Sequence, residues 1–485
     1  MQRPLSCLFI LGLFLLTACG PQTATPAAVR SLELSDCALL TASGKQIDAR
    51  CGTLPVPEDR ANPAGRQIAL KIALIPAIKR NPAPDPLFLL AGGPGQAALE
   101  TFPTLLGLLQ PIHEGRDIVL VDQRGTGESN PLRCLDPEKD EALTDEQAIE
   151  RLQTCPQRLD ADLRFYTTEI AMQDLDAVRA ALGYETINLY GASYGTRAAL
   201  TYLRLFPNRV RTLTLDAVVD PGFVMYVDAA RDGQHALDFF LARCAADPAC
   251  QATFPNLKTE FTDLLTRLEA APVEVTFPHP VTNHPLTLTV TRQMVTNLVF
   301  STLYSPDLTA TLPLALHTAA VDGNFVPLLS QAYLLDAGLY DGMFYAVTCT
   351  EDAPLISPTN AEKLSQNSVF GNRTLDFAKI CSTWPKGSVS ADFRAPLVSN
   401  VPTLILSGEA DPITPPWHAE KVAEALSNEL HLVFKGFGHG NLANRCTADL
   451  LRDFLVSAST EKLDPSCVTG LTPPPFFINF SGPRP

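Results

Sequence analysis

Leu189-Tyr190-Gly191-Ala192-Ser193-Tyr194-Gly195 is the stretch from which the rest of this chain is read. Apolar Ile187-Asn188-Leu189-Tyr190 reads as a short buried strand, and Thr196 to Leu203 reads as a helix. Between them a G-x-S-x-G string puts a serine on a tight strand-to-helix turn. Gly191 and Gly195 carry no Cβ, so strand and helix can close on each other and push the Ser193 hydroxyl into the open. The first turn of the helix offers unpaired N–H groups and a partial positive charge where an oxyanion would form. A Gly-Ser turn needed only for packing has the same residues, so the rest of the chain has to decide.

Several short apolar runs stop at glycine-rich turns, as strands of a parallel sheet buried on both faces do. Gln67 to Ile75 alternates and then becomes apolar. Pro86 to Leu90 stops at Ala91-Gly92-Gly93-Pro94-Gly95, and Asp117 to Val121 stops at Asp122-Gln123-Arg124-Gly125-Thr126-Gly127-Glu128-Ser129. Glu169 to Leu182 has helical spacing and ends at Gly183, and Arg211 to Asp216 supplies the strand after the Ser193 helix. Open parallel sheets hold ligands beyond the carboxyl ends of their strands, where these stops fall. The expected class is α/β: a mostly parallel central sheet flanked by helices, with a large inserted cap that is mainly helical. Residues 36–220 form the first part of the core and 221–396 the cap. Within the cap, helices are expected over Ala236 to Ala245, Leu257 to Leu268, Thr291 to Leu303 and Leu308 to Val321, with a small loop from Cys244 to Cys250. Residues 397–485 return to the core through strands Val401 to Gly408 and Leu430 to Lys435 and helices Trp417 to Leu426 and Ala448 to Ser457, then end in a Pro-rich tail over 468–485.

A serine hydroxyl needs a base at neutral pH, and the base needs an orienting acid. His439 sits in Gly436-Phe437-Gly438-His439-Gly440, beyond the last strand, where glycines free the backbone without filling space. Asp411 sits in Gly408-Glu409-Ala410-Asp411-Pro412, beyond the preceding strand, with Glu409 as its competitor. The chain order is Ser193, Asp411, His439. His113, His235 and His418 have no comparable context and read as structural. The oxyanion donors are expected to be the N–H groups of Tyr194 and Gly93, with Gly92 the alternative to Gly93, since Pro94 has no N–H. Asp122 and Arg124 read as braces of the loops at the sheet end. No metal or cofactor is called for.

The chain has 485 residues, 46% hydrophobic and 18% charged, which describes a globular protein too long for one simple core. A formal charge of −15 argues against a nucleic-acid partner, which needs a basic face. Residues 1–18 read as a signal peptide, with Arg3 ahead of an apolar run from Leu5 to Leu16 that is too short to span a bilayer. Leu16-Thr17-Ala18-Cys19-Gly20 resembles the lipobox of bacterial lipoproteins, which implies a lipid on Cys19, a tether over 19–35 and an anchor in the bacterial envelope, with Gly20 pointing to the outer membrane. An ordinary secretory peptide is the alternative. Of twelve cysteines, setting aside Cys7 and Cys19 leaves ten, in neighbouring couples: Cys37/Cys51, Cys134/Cys155, Cys244/Cys250, Cys349/Cys381 and Cys446/Cys467. In an exported chain an even number reads as five disulfides, for which sequential pairing is the simplest connectivity. The spacings match no zinc cluster.

The Gly92-Gly93-Pro94-Gly95, Asp122 to Ser129 and Gly191 to Gly195 strings together resemble the prolyl-iminopeptidase-type serine peptidases of the α/β-hydrolase superfamily. The long cap, Cys349, Cys381-Ser382-Thr383-Trp384-Pro385 and a carboxyl-terminal segment carrying Asp411 and His439 are similar to the exported tripeptidyl-aminopeptidase-like branch. The resemblance covers nearly all of the chain after residue 35. It departs from the iminopeptidases at Ala91, where they often carry His, and in the cap, which lacks a match to their amine-binding glutamates. It implies an α/β-hydrolase fold, a Ser-His-Asp triad with an acyl-enzyme, and an aminopeptidase acting on the amino-terminal end of short peptides. Such an enzyme needs a carboxylate for the substrate ammonium, and Glu351 in Val347-Thr348-Cys349-Thr350-Glu351-Asp352 is the expected residue, unless that pair is merely solvated surface. A carboxylesterase with the same triad, and a surface lipoprotein that binds peptide with an idle triad, are the alternatives.

Overall fold

The computed structural model describes residues 32–136, 139–140, 143–334 and 338–483. The expected signal segment, Cys19 and most of the expected tether lie outside them.

The first seven strands are β1 (Ser35–Leu40), β2 (Gln46–Pro57), β3 (Gln67–Ile75), β4 (Leu87–Leu90), β5 (Ile118–Val121), β6 (Ile187–Ala192) and β7 (Val210–Asp216). A separate hairpin, β8 (Val273–Pro278) and β9 (Pro285–Val290), precedes β10 (Thr403–Gly408) and β11 (Glu429–Phe434). All but the hairpin form one sheet of nine strands, in the order β1-β2-β3-β5-β4-β6-β7-β10-β11. From β5 to β11 every neighbouring pair is parallel, while β1, β2 and β3 add an antiparallel wing. The central strands β4 and β5 are buried at every residue, as their unbroken apolar sequences require of strands covered on both faces. β1 and β2 escape sequence reading because much of their length is exposed, and β2 carries Gly52, Pro55 and Pro57.

The Asp122 to Ser129 string acts as the sequence suggests, as a brace behind the site. Arg124 is wholly buried, donating from Nε and Nη2 to the two oxygens of Asp174 at 2.7 and 2.8 Å and from Nη1 to the carbonyls of Glu58 and Phe165. Asp122 accepts the N–H groups of Leu99 and Glu128, and burial pushes its carboxyl up to about 6. Ser129 Oγ accepts the Lys71 N–H at 2.8 Å, pinning the turn to β3.

Between β7 and β10 the chain forms a second hydrophobic cluster, built largely from helices Asp228–Ala246, Leu257–Ala270, Arg292–Thr302 and Pro306–Val321. The hairpin of β8 and β9 lies in this span, which was expected to be mainly helical and for which no strand was named. Its strands alternate inward Val275, Phe277, Leu286, Leu288 and Val290 with exposed Glu274, Thr276, Thr287 and Thr289, a two-residue period that helix spacing cannot satisfy. The Pro-rich end of the chain is also more than a tail. Phe476 is buried in this second cluster under Arg243, whose guanidinium lies 4.3 Å from the ring centroid, and Phe477 donates to the Ala310 carbonyl at 2.9 Å.

Five disulfides join Cys37 to Cys51, Cys134 to Cys155, Cys244 to Cys250, Cys349 to Cys381 and Cys446 to Cys467, each cysteine with its neighbour in the chain. Such a set is the state of a chain that folds in an oxidising compartment. The local structure around them corrects the sequence reading in two places. Cys244 to Cys250 is not a loop: Cys244 ends one helix and Cys250 lies in the next, Pro248–Thr253. Asp247 caps that second helix by accepting the Cys250 N–H at 2.8 Å, and Pro248 fits its first turn, so the chain restarts a helix at once. Cys467 lies in a short helix, Ser466–Thr469, that runs into the stretch read as tail, and its disulfide ties this helix to Arg445–Ser457. Cys155 opens the single turn Cys155–Gln157 after the helix Asp145–Thr154, and both it and Cys134 are buried in the main core. Among the described residues no helix is long and apolar enough to cross a membrane, and no group of side chains is arranged to hold a metal.

One buried ionic cluster clamps the helix Asp228–Ala246 to the sheet side. His418, on the helix Pro416–Ala423, is fully buried with Nδ1 on Asp220 and Nε2 on Asp232 at 2.7 Å. Arg231 and Lys421 also face these carboxylates. Burial opposes charge on the ring, but the two carboxylates outweigh it and raise its pKa from 6.5 to about 9. Because the folded value is raised, the cluster stabilises the fold in full below about pH 6.5 and loses that contribution as pH rises through about 9. His418→Ala leaves two buried carboxylates without their shared partner and is expected to lower unfolding free energy by about 3 kcal/mol or more. Denaturant melts of both proteins between pH 6 and 10 check this: the difference must shrink at the alkaline end, and a constant difference would count against a charged His418.

Candidate active site

Ser193 stands between β6 and the helix Tyr194–Leu205 with φ 56° and ψ −123°, a backbone region that costs a non-glycine residue about 1–3 kcal/mol. The surroundings hold it there. Its N–H donates to the Asp216 carbonyl at 2.9 Å, and its carbonyl accepts the N–H and hydroxyl of Thr196 at 2.8 and 2.6 Å. A side chain on Gly191 would strike the backbone of Gly195, and one on Gly195 would strike the Leu90 carbonyl, so only glycine permits the crossing.

Opposite the turn, the loop after β4 runs through Gly93 at φ +106°. The Gly92 N–H is already committed to Gln96 Oε1 at 3.0 Å. The N–H groups of Gly93 and Tyr194 donate to no described residue, and both residues line the cavity at Ser193. Of the two glycines left open by the sequence, the one with a free donor is therefore Gly93. The Tyr194 ring turns away from the cavity, its hydroxyl 2.8 Å from Thr168 Oγ1.

His439 lines the same cavity. Its Nδ1 lies 2.8 Å from Asp411 Oδ2, and its N–H donates at 2.8 Å to the carbonyl of Tyr304, just past the helix Arg292–Thr302. Asp411 is fully buried and accepts the N–H groups of Ile413 and Thr414 and the Thr414 hydroxyl at 2.8–2.9 Å. Burial would raise that carboxyl, but His439 and these donors hold it below the ordinary range. Burial likewise opposes protonation of His439, and Asp411 outweighs it, so the imidazole is raised above 6.5. Glu409 instead receives the Gly436 N–H at 2.9 Å, which leaves Asp411 as the partner of His439. A second buried carboxylate, Asp216, accepts the Asn441 N–H at 2.7 Å and the Tyr190 hydroxyl at 2.7 Å, fixing the segment that follows His439.

The cavity measures about 550 Å³, with Phe223, Met225, Phe300 and Phe344 among its walls. Glu351, expected to receive a substrate ammonium, does not line it. Its side chain is fully buried on the Thr168 N–H and hydroxyl at 2.7 and 3.0 Å, with Arg197 3.6 Å away, and burial pushes it up to about 7. The neighbouring Asp352 does line the cavity, but it is neutralised by Arg197 at 3.1 Å and by Arg394. One residue of helix rotation separates a wall from a buried strut, and the sequence carries no mark of it. A side chamber of about 170 Å³ shares Leu152, Tyr226, Tyr345 and Arg373 with the main cavity and is lined by Asp145 and Asp376. Burial raises both of these carboxyls, opposed by hydrogen bonds from Thr291 to Asp145 and from Gln293 to Asp376. Sequence reading missed these two, since they lie over two hundred residues apart with no local pattern. Thr414, three residues after Asp411, was also missed, and the Asx-type turn that Asp411 forms there is the signal that marks it. A larger groove of about 650 Å³, lined in part by Gln234, Phe261 and Arg292, has none of the site residues in its walls.

A strained serine at a strand-to-helix turn, two uncommitted N–H donors beside it and a His–Asp pair on the same cavity define a serine hydrolase. The chain belongs to the α/β-hydrolase fold family, whose model matches residues 85–444. It is 26% identical over 463 residues to serine protease Hip1 of Mycobacterium tuberculosis, covering 86% of this chain and 87% of that protein. It is 27% identical over 506 residues to a tripeptidyl aminopeptidase of Streptomyces coelicolor, covering 93% and 88%. A solved proline iminopeptidase of Mycobacterium smegmatis aligns with TM-score 0.40 at 16% identity, over 84% of this chain and 98% of that one.

Hydrolysis through His439 requires its neutral form, so kcat/KM is expected to fall on the acid side of an inflection above 6.5. Asp411→Asn should move that inflection down and lower kcat by about three to four orders of magnitude. A pH–rate profile of both proteins checks this, and an inflection that stays in place would separate Asp411 from His439.

Proposed function

We propose that this chain is an exported serine peptidase that releases amino-terminal residues or short peptides. The observation that carries the reading is that Ser193, His439 and the free N–H groups of Gly93 and Tyr194 converge on one cavity, with Asp411 behind the imidazole. With Nδ1 committed to Asp411, Nε2 is the nitrogen that takes the Ser193 proton as Oγ bonds to the substrate carbonyl carbon. Gly93 and Tyr194 donate to the oxyanion. The carbon–nitrogen bond then breaks, His439 returns the proton to the leaving amine, and an acyl-enzyme remains. Water attacks it, giving a proton to His439 that passes back to Ser193 as the acid leaves. Ser193→Ala is expected to lower kcat by about four orders of magnitude or more.

The peptidase relatives support a peptide as substrate, and the side chamber supports a free amino terminus. Asp145 and Asp376 together offer negative charge in a partly desolvated space, which suits an ammonium better than the sealed Glu351. A peptide arylamide with a free amine should be cleaved at least about tenfold faster than its acetylated counterpart. Asp376→Asn should raise KM for the former alone, and equal rates on blocked and free peptides would remove the aminopeptidase assignment. The aromatic walls of the main cavity favour esterase action as a second reading, which acyl nitrophenyl esters test directly.

The same reading places the enzyme on a membrane through a lipid on Cys19, supported by Leu16-Thr17-Ala18-Cys19 and by a disulfide set suited to export, with the outer membrane of a bacterial envelope as the site. Cys19→Ser should release the protein from washed membranes into the soluble fraction. Unchanged membrane association would contradict the anchor.

A further inference from the structure

Arg373 is a cation in the wall of the main cavity that forms no ion pair among the described residues. It stands in the first turn of the helix Asn372–Cys381, where the helix dipole disfavours a cation. Its guanidinium carbon lies 4.4 Å from the Phe300 ring centroid and 5.1 Å from that of Tyr226, within cation–π range of two aromatic walls. It borders both the main cavity and the side chamber, and its Nη1 is buried without a hydrogen-bond partner.

The nearby carboxylates are otherwise engaged. Asp376 holds the Gln293 amide at 2.7 Å, Asp145 the Thr291 hydroxyl at 3.1 Å, and Asp352 two other guanidinium groups. Asp341, also in the cavity wall, accepts the N–H groups of Cys134, Leu135 and Gly342 at 2.7–2.9 Å. Arg197 shows the contrast, since the same residue type facing the same cavity is fully paired with Asp352 and the Phe223 carbonyl. A planar five-donor fork held between aromatic rings, with a donor unused and desolvated, is arranged to bind a planar anion in two-point fashion.

We propose that Arg373 is a specificity residue that receives a carboxylate of the substrate. The proposal rests on the assignment of this cavity as the substrate site of a serine hydrolase. The carboxylate can be an acidic side chain within a peptide or the free carboxyl terminus of a short one. Both supply the same chemistry, and they differ in where the charge sits along the chain. An ammonium bound at Asp145 and Asp376 and a carboxylate at Arg373 would together select zwitterionic peptides with an acidic group close to the amine.

The test uses protection of Ser193 from a fluorophosphonate probe by matched competitors, so that it needs no turnover. One pair differs as Glu against Gln at each position of a free-amine tripeptide amide. The other differs as free acid against amide at the carboxyl terminus of an all-neutral tripeptide. Wild-type protein is expected to be protected at least about tenfold more strongly by the charged member of one pair, and which pair responds identifies the source of the carboxylate. In Arg373→Met that ratio should fall to near one, and in Arg373→Lys to an intermediate value, because charge survives without the fork. The ratio is taken within one protein, so a reduced folded fraction does not affect it. Equal protection by both members of both pairs in wild-type protein, or a ratio that survives in Arg373→Met, overturns the proposal. Failure of the probe to label wild-type Ser193 would instead strike at the hydrolase assignment itself.

Discussion

The site depends on one backbone constraint, the left-handed φ of Ser193 at the end of β6. A serine holds that conformation only when its neighbours determine it, and here the hydrogen bonds to Asp216 and Thr196 do so from both sides. The crossing that makes the turn sharp needs the bare backbone of Gly191 and Gly195. From that turn follow the exposed hydroxyl, the aligned N–H of Tyr194 and the approach of the Gly93 loop. The strain is local, and the central strands that absorb it are buried on both faces and closely packed.

Sheet side and cap side are joined by polar contacts as much as by apolar ones. His439 is held through its own N–H by a carbonyl at the end of a cap helix, so the proposed base takes its position from both sides at once. Arg197, on the helix that starts at Ser193, reaches Asp352, and Arg394 reaches the same carboxylate. His418 links Asp220 to Asp232 in the same manner. Buried charges of this kind add little net stability but penalise any arrangement that leaves one unpaired. They therefore hold the sheet and the helix-rich cluster between β7 and β10 in a defined relation around the cavity. Arg373, in the cavity wall, forms no such pair among the described residues.

Reading outward from one heptapeptide recovered the parallel part of the sheet, because strands buried on both faces show as unbroken apolar runs. It missed β1 and β2, whose exposed faces leave no such run, and the hairpin of β8 and β9, which sits among helices. It also took the Cys244 to Cys250 segment for a loop, although Asp247 and Pro248 between them are start signals for a new helix. The Ser193, Asp411 and His439 positions were legible for a local reason: each follows a buried strand and stands among residues chosen for turn geometry. Glu351 was misjudged because adjacent helix positions point about 100° apart. Which of Glu351 and Asp352 meets the cavity depends on helix rotation, set by distant packing partners such as Thr168 and Arg197.

The sequence alone determined the class of fold, the order of Ser193, Asp411 and His439 along the chain, the even cysteine set and a long helix-rich stretch between β7 and β10. These are properties of short windows or of composition, where the period of apolar residues and the conformational freedom of glycine act directly. Only the tertiary structure decided that Gly93 rather than Gly92 has a free donor, that Asp411 rather than Glu409 meets His439, and that Arg373 Nη1 has no hydrogen-bond partner among the described residues. Each of these turns on whether a polar group already has its hydrogen bond. For Gly92 that is settled by Gln96 in the same loop, and for Glu409 and Asp411 by residues on the segment after the next strand, brought near only when the chain folds around the cavity.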